Sequence, residues 1–152
     1  MTKLPPQKIS NSKRLWQEME RYVPKAPYHY TDVVAESARG AIVTDVDGKE
    51  FIDFSGGIGA LNVGHNHPKV VKAVIEQAKK LIHTSFHVAA YENYIQVCKK
   101  LTEFAPGTFR KKAILFNSGA EAVENSIKAA KIFTKRPGVL SFDMGFHGRT
   151  WM

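Results

Sequence analysis

Apolar residues return along this chain with more than one period, and the changes of period mark its elements. Leu15, Trp16, Met19, Tyr22 and Val23 fall at helical spacing behind the capping candidates Ser10, Asn11 and Ser12, which predicts a helix over residues 12–23. Pro24 and Pro27 end it. "AIVTDVDGKEFIDF" then reads as two short strands around Asp47-Gly48, a two-residue hairpin signal. A glycine-rich passage follows, "SGGIGALNVGHNHP", where Gly56, Gly57, Gly59 and Gly64 permit backbone shapes that other residues resist.

Pro68 suits the first turn of the next helix. Within it Val71, Val74, Ile75, Ala78 and Ile82 form a single stripe, expected to be buried. Residues 91–105 repeat the pattern with Tyr94, Cys98, Leu101 and Ala105, closed by Pro106-Gly107. "KAILF" (112–116) and "GVLSF" (138–142) are short apolar runs that read as strands, with a helix between them. Strand, helix, strand at this spacing predicts a βαβ unit, hence an α/β fold with helices packed on a parallel sheet. The chain has no internal repeat and no low-complexity tract.

Composition changes this picture little. With 43% hydrophobic residues in 152, the chain can bury a core of one or two domains. No apolar run approaches the roughly 18 residues of a membrane helix, and no membrane partner is expected. Lys and Arg exceed Asp and Glu by 22 to 14, giving +8, which raises the question of a nucleic-acid partner. Their placement argues against one. Lys69, Lys72, Lys79 and Lys80 fall on the polar face of one helix and Lys128, Lys131 and Lys135 on that of another, with no aromatic interleaving. The lone Cys98 excludes an internal disulfide and fits a reducing compartment, so cytoplasm is expected. Lys3, Lys8, Lys13 and Arg14 precede the first acid, Glu18, as in a mitochondrial leader, but Pro5-Pro6 and the single early arginine weaken that alternative.

Three stretches carry candidate chemistry. In "NSGAEAVE", Ser118 and Glu121 have the spacing of a capping box, which is a complete reading by itself. Gly119 and Ala120 also leave the first turn uncrowded, and at a strand-to-helix junction such a turn offers free N–H groups to a phosphate. "GFHGRT" (145–150) follows the second strand candidate in the same way. There Phe146 offers a face to a flat ring and Arg149 a bidentate fork to a carboxylate; the plainer alternative is a polar loop. "GHNHP" places His65 and His67 one residue apart, but no acid or cysteine lies close in sequence to complete a metal site, so a structural turn is expected.

Together these residues resemble a known family. "FIDFSGGIGALNVGHNHPKVVKAV", "NSGAEAVENSIKAAK" and "FHGRT", in this order and spacing, are similar to the N-terminal part of the class III aminotransferases, from about residue 25 onward. "GGIGALNVGH" and "AEAVEN" are most similar to the branch that acts on 4-aminobutyrate. The resemblance implies an aspartate-aminotransferase-like, fold type I pyridoxal 5'-phosphate enzyme, cut short within its large domain. Residues 1–60 would then associate with the small domain and 61–152 would begin the large cofactor domain. It also implies a homodimer acting on small amino acids and 2-oxo acids.

Residue by residue, the resemblance implies that Ser118, Gly119 and Ala120 bind the cofactor phosphate. Phe146 would stack on the cofactor ring, His147 would also bind the cofactor, Arg149 would pair with a substrate carboxylate, and Ile58 would line the substrate pocket. The family's Schiff-base lysine is expected beyond Met152, so the implied activity is that of a longer protein and the 152-residue chain alone is expected to be inactive. The implied reaction moves an amino group from 4-aminobutyrate to 2-oxoglutarate. Alternatives are ornithine, acetylornithine or another ω-amino donor, and, in a different class, an inactive fragment that only binds partners.

Overall fold

A computed structural model describes residues 9–150, and the chain divides into two compact units, one running to Ile82 and the other starting at His83. The leader alternative rests largely on residues 1–8, which lie outside the described residues.

In the first unit, helix α1 (Asn11–Tyr22) starts where Ser10 Oγ accepts from the Lys13 N–H at 3.2 Å. The first turn carries no acid of its own. Asp47, at the hairpin tip, supplies one: its carboxylate oxygens accept from the N–H groups of Asn11 at 2.8 Å and Ser12 at 3.1 Å. A hydrogen bond from the Ser12 side chain, with these backbone donors, holds the Asp47 carboxyl below its ordinary value. A helix start thereby becomes anchored to a turn more than thirty residues away.

The hairpin is strands β2 (Ile42–Asp45) and β3 (Glu50–Ile52), paired antiparallel as the Asp47-Gly48 signal predicts. Asp45 is buried, and its Oδ1 accepts from the N–H groups of Asp47 and Lys49 at 2.9 and 2.8 Å, which closes the turn. A third strand, β1 (Ala35–Arg39), pairs antiparallel with β2 on its other side. Its sequence, AESAR, carries no strand signal. It is recruited by the exposed N–H and C=O groups of its neighbour.

Helix α3 (Pro68–Lys80) begins with Pro68 in its first turn and His67 Nδ1 accepting from the Lys69 N–H at 3.3 Å. Its apolar stripe forms but is not buried. Val71, Val74, Ile75 and Ile82 are exposed, the last lying past the end of the helix. Among the described residues no hydrophobic side chain is fully buried, and only the three strands pack broadly on one another. Periodicity fixes which face is apolar, but burial needs an opposing surface.

The second unit holds helices α4 (Glu92–Phe104) and α5 (Gly119–Thr134). On α4, Tyr94 stacks on Phe86 with ring centroids 3.9 Å apart, and Cys98 is half-buried on the same face. The expected strands at 112–116 and 138–142 do not form, so the parallel βαβ pairing is absent among the described residues. A strand exists only through its ladder partners. In 112–116 the Leu115 N–H goes instead to the Tyr94 hydroxyl, at 2.9 Å.

Candidate cofactor and substrate site

Helix α5 opens with both halves of a capping box in place. Ser118 Oγ accepts from the Glu121 N–H at 3.2 Å, and Glu121 Oε2 accepts from the N–H groups of Ser118 and Asn117 at 3.2 and 2.8 Å. The Ala122 N–H reaches the Ser118 carbonyl at 3.1 Å. The box thus satisfies donors on either side of Gly119 and Ala120. The N–H groups of those two residues have no acceptor among the described residues. They lie at the positive end of a 16-residue helix, and the Ser118 hydroxyl can still donate its proton. Two backbone donors and a hydroxyl in one uncrowded turn fit a phosphate group.

The 145–150 loop is brought against this same turn. A β-carbon placed on Gly148 would lie 2.8 Å from the Ala120 β-carbon and 2.9 Å from its α-carbon, and Gly148 has φ +108°. Only glycine allows so close a seat in that conformation. Next along, the Thr150 hydroxyl donates to Glu124 Oε1, one helical turn further into α5. Sequence reasoning missed this tie, because no local pattern links a loop threonine to a helical glutamate 26 residues away.

Within the loop, the Arg149 guanidinium carbon lies 5.8 Å from the Phe146 ring centroid, a cation–π arrangement. Phe146 is 77% exposed, and Arg149 has no ion-pair partner among the described residues. Its fork remains open to a carboxylate. His147 Nε2 is enclosed without a hydrogen-bond partner, an arrangement that folded proteins rarely leave unsatisfied. The structure therefore gathers Ser118, Gly119, Ala120, Phe146, His147 and Arg149 in one unit.

Ile58 belongs to the other unit. Residues Gly56–Gly59 form a single turn of left-handed backbone, α2, with Gly57 at φ 62°, ψ 35° and Ile58 at φ 56°, ψ 45°. For a β-branched residue this region is a genuine outlier. Ile58 is 95% exposed. The turn is built on Asp53, whose Oδ1 accepts from the Ser55 N–H at 2.9 Å, the Ser55 hydroxyl at 2.6 Å and the Gly56 N–H at 3.0 Å. Asp53 Oδ2 meets His65 Nε2 at 2.7 Å. Ser55, and after it His65, hold the Asp53 carboxyl down to about 2.

His65 and His67, separated only by Asn66, therefore do separate jobs, pairing an aspartate and capping a helix. Among the described residues no group of three metal-binding side chains occurs. The Asp-x-Ser-Gly spacing at Asp53 is a local turn signal. Its partner, 12 residues away, has none.

Comparison with known proteins places the chain. Residues 23–152 match the family "Aminotransferase class-III". The chain belongs to the class-III aminotransferases. It is 53% identical over 138 residues to the probable 4-aminobutyrate aminotransferase of Bacillus subtilis, covering 90% of this chain and 32% of that protein. It is 47% identical over 138 residues to the 5-aminovalerate aminotransferase of Pseudomonas putida, again covering 91% of the chain and 32% of the relative.

Among solved structures, an omega-transaminase from Sphaerobacter thermophilus superposes with a TM-score of 0.80 at 33% identity, over 93% of this chain and 32% of that one. A taurine:2-oxoglutarate aminotransferase from Bifidobacterium kashiwanohense, solved with PLP and glutamate, superposes at 0.72 with 28% identity, over 86% of this chain and 29% of that one. The chain thus has the fold type I aminotransferase architecture and spans about a third of the length of the relatives it matches.

Proposed function

We propose that this chain supplies the phosphate cup, ring contact and carboxylate clamp of a pyridoxal-phosphate ω-aminotransferase that moves an amino group from 4-aminobutyrate to 2-oxoglutarate. The observation that carries this reading is the seat of Gly148 on Ala120, which sets "FHGRT" against the phosphate turn. The 53% identity to a probable 4-aminobutyrate enzyme supports the donor. The 5-aminovalerate relative supports a second donor one methylene longer. On this reading residues 1–60 go with the small domain and 61–152 open the large one. The working protein is a cytoplasmic homodimer.

In this assignment the Gly119 and Ala120 N–H groups and the Ser118 hydroxyl bind the phosphate. Phe146 lies against the cofactor ring, with His147 beside it. Bound pyridoxal phosphate supplies the electron sink of the reaction. Arg149 holds a carboxylate of the amino acid and then of the oxo acid through its planar fork, orienting both for reaction. Ile58 touches the carbon chain of the substrate. No lysine among residues 1–152 stands in a context that resembles the family's Schiff-base site, and on this reading these residues alone are expected to carry no transaminase activity.

The test joins residues 1–152 to the remaining part of the Bacillus subtilis relative. The joined enzyme should form glutamate from 4-aminobutyrate and 2-oxoglutarate and bind the cofactor with its visible absorbance. Gly119→Asp, which puts a carboxylate in the phosphate turn, should abolish that absorbance at micromolar cofactor. Arg149→Lys should raise KM for both substrates about tenfold, since an ammonium cannot reproduce the fork. A Gly119→Asp enzyme that holds its cofactor like the parent would overturn the assignment.

A further inference from the structure

The Gly56–Gly59 turn combines two features that local sequence does not demand of each other. Glycines at 56, 57 and 59 adopt positive φ at no steric cost, but Ile58 occupies the same region among them. A β-branched side chain there stores strain, and a surface turn has no structural need of it. Exposed as it is, Ile58 gains no enclosing contact within its unit that would offset the strain. The turn is nevertheless held firmly, by the three donors that converge on Asp53 Oδ1.

Asp53 is itself fixed from two directions. Its own N–H donates to the Ala41 carbonyl at 2.8 Å, at the end of the sheet. Its second carboxylate oxygen meets His65, whose side chain is 23% exposed against 12% for Asp53. His65 exchanges both backbone hydrogen bonds with Gly40, at 2.8 and 2.9 Å. That bridge is tight: a β-carbon on Gly64 would lie 3.1 Å from the Gly40 backbone. The sheet edge therefore holds His65, His65 holds Asp53, and Asp53 holds the strained turn.

We propose that Asp53 and His65 are positioning residues that clamp the left-handed turn so that Ile58 is presented to the carbon chain of the ω-amino acid substrate. This rests on the substrate role assigned to Ile58 above. Neither Asp53 nor His65 touches the substrate. Their work is to keep an unfavourable backbone conformation populated in the free enzyme, so that ligand binding does not have to induce it. An apolar side chain fixed at one distance discriminates between donors that differ by one methylene, by roughly 10-fold or more.

The experiment uses the joined enzyme and the ratio of kcat/KM for 4-aminobutyrate to that for 5-aminovalerate. Cofactor affinity from absorbance and the thermal midpoint are measured beside it. Asp53→Ala and Ile58→Ala are each expected to move the ratio by about tenfold, with cofactor affinity within about twofold of the parent. The double variant should move it no further than Ile58→Ala alone, since both act through one side chain. Asp53→Asn keeps an acceptor for Ser55 and Gly56 and should restore most of the parent ratio.

Should Asp53→Ala fail to fold, His65→Ala replaces it: the Gly40 backbone bridge and the donors on Asp53 Oδ1 remain to support folding, while Asp53 loses the partner that fixes it and the turn loosens. It too should shift the ratio, and its shift should vanish in the Ile58→Ala background. A parent-like ratio in Asp53→Ala or His65→Ala, with Ile58→Ala shifted, overturns the positioning role and leaves the Ile58 assignment standing. A parent-like ratio in Ile58→Ala overturns that assignment and the positioning role with it. Additive shifts in the double variant would show that the pair acts elsewhere, and would also overturn the proposal.

Discussion

The turn at Gly56–Gly59 and the first turn of α5 are both small, glycine-bearing stretches assigned to ligand contact, yet they are held by opposite means. The α5 turn is secured by its immediate neighbours: Ser118 and Glu121 reciprocally satisfy its backbone, three residues apart. Its backbone is unstrained, and Gly119 needs no unusual φ. The Gly56–Gly59 turn is secured from a distance, through Asp53, His65 and the Gly40 bridge, and carries a strained isoleucine. A locally capped helix start is robust and presents backbone donors. A remotely clamped turn is costly and presents a side chain, and that suits a task that depends on which side chain it is.

The sharpest way to break this comparison is at the one point where the α5 turn depends on a distant residue. Gly148→Val in the joined enzyme places a branched side chain against Ala120 at a positive φ. Overpacking and backbone strain together should cost about 3 kcal/mol of stability, and the displaced loop should lower cofactor affinity. Denaturant unfolding and cofactor absorbance read the two effects. A variant as stable as the parent would show that the seat is not tight.

Next in size, Ile58→Gly should relieve the left-handed strain and raise stability by about 1 kcal/mol while weakening discrimination between the two ω-amino donors. Denaturant midpoints and the kcat/KM ratio test both halves. Loss of stability instead would mean that Ile58 is packed rather than presented.

The smallest effect is one of pH. Because the folded Asp53 carboxyl sits near 2 against its ordinary 3.8, the clamp's contribution is complete above about pH 4 and is lost as pH falls toward 2. Carboxyl carbon shifts of Asp53 followed by NMR should titrate near 2, and in His65→Ala the midpoint should move up toward the ordinary value. A parent midpoint near 3.8 would remove the clamp from the picture.

What the sequence determined by itself lies within one or two turns of chain. The α1 stripe, the Asp47-Gly48 hairpin, the Pro68 helix start and the Ser118-Glu121 box each follow from residues a few positions apart, and each is present. The motifs proposed for the site, "NSGAEAVE" and "GFHGRT", are likewise local stretches. Distance along the chain set the limit. Strand β1 has a sequence with no strand signal and exists because β2 offers it hydrogen-bond partners. The apolar runs at 112–116 and 138–142 have the signal and form no strand, because none pairs with them among the described residues. Asp47 on the start of α1, His65 on Asp53 and Gly148 on Ala120 join residues 12 to 36 positions apart. Periodicity encodes which face of an element is apolar and which backbone shapes are permitted. Which distant group satisfies a given donor or covers a given face is a property of the folded chain, because it depends on where the backbone returns in space.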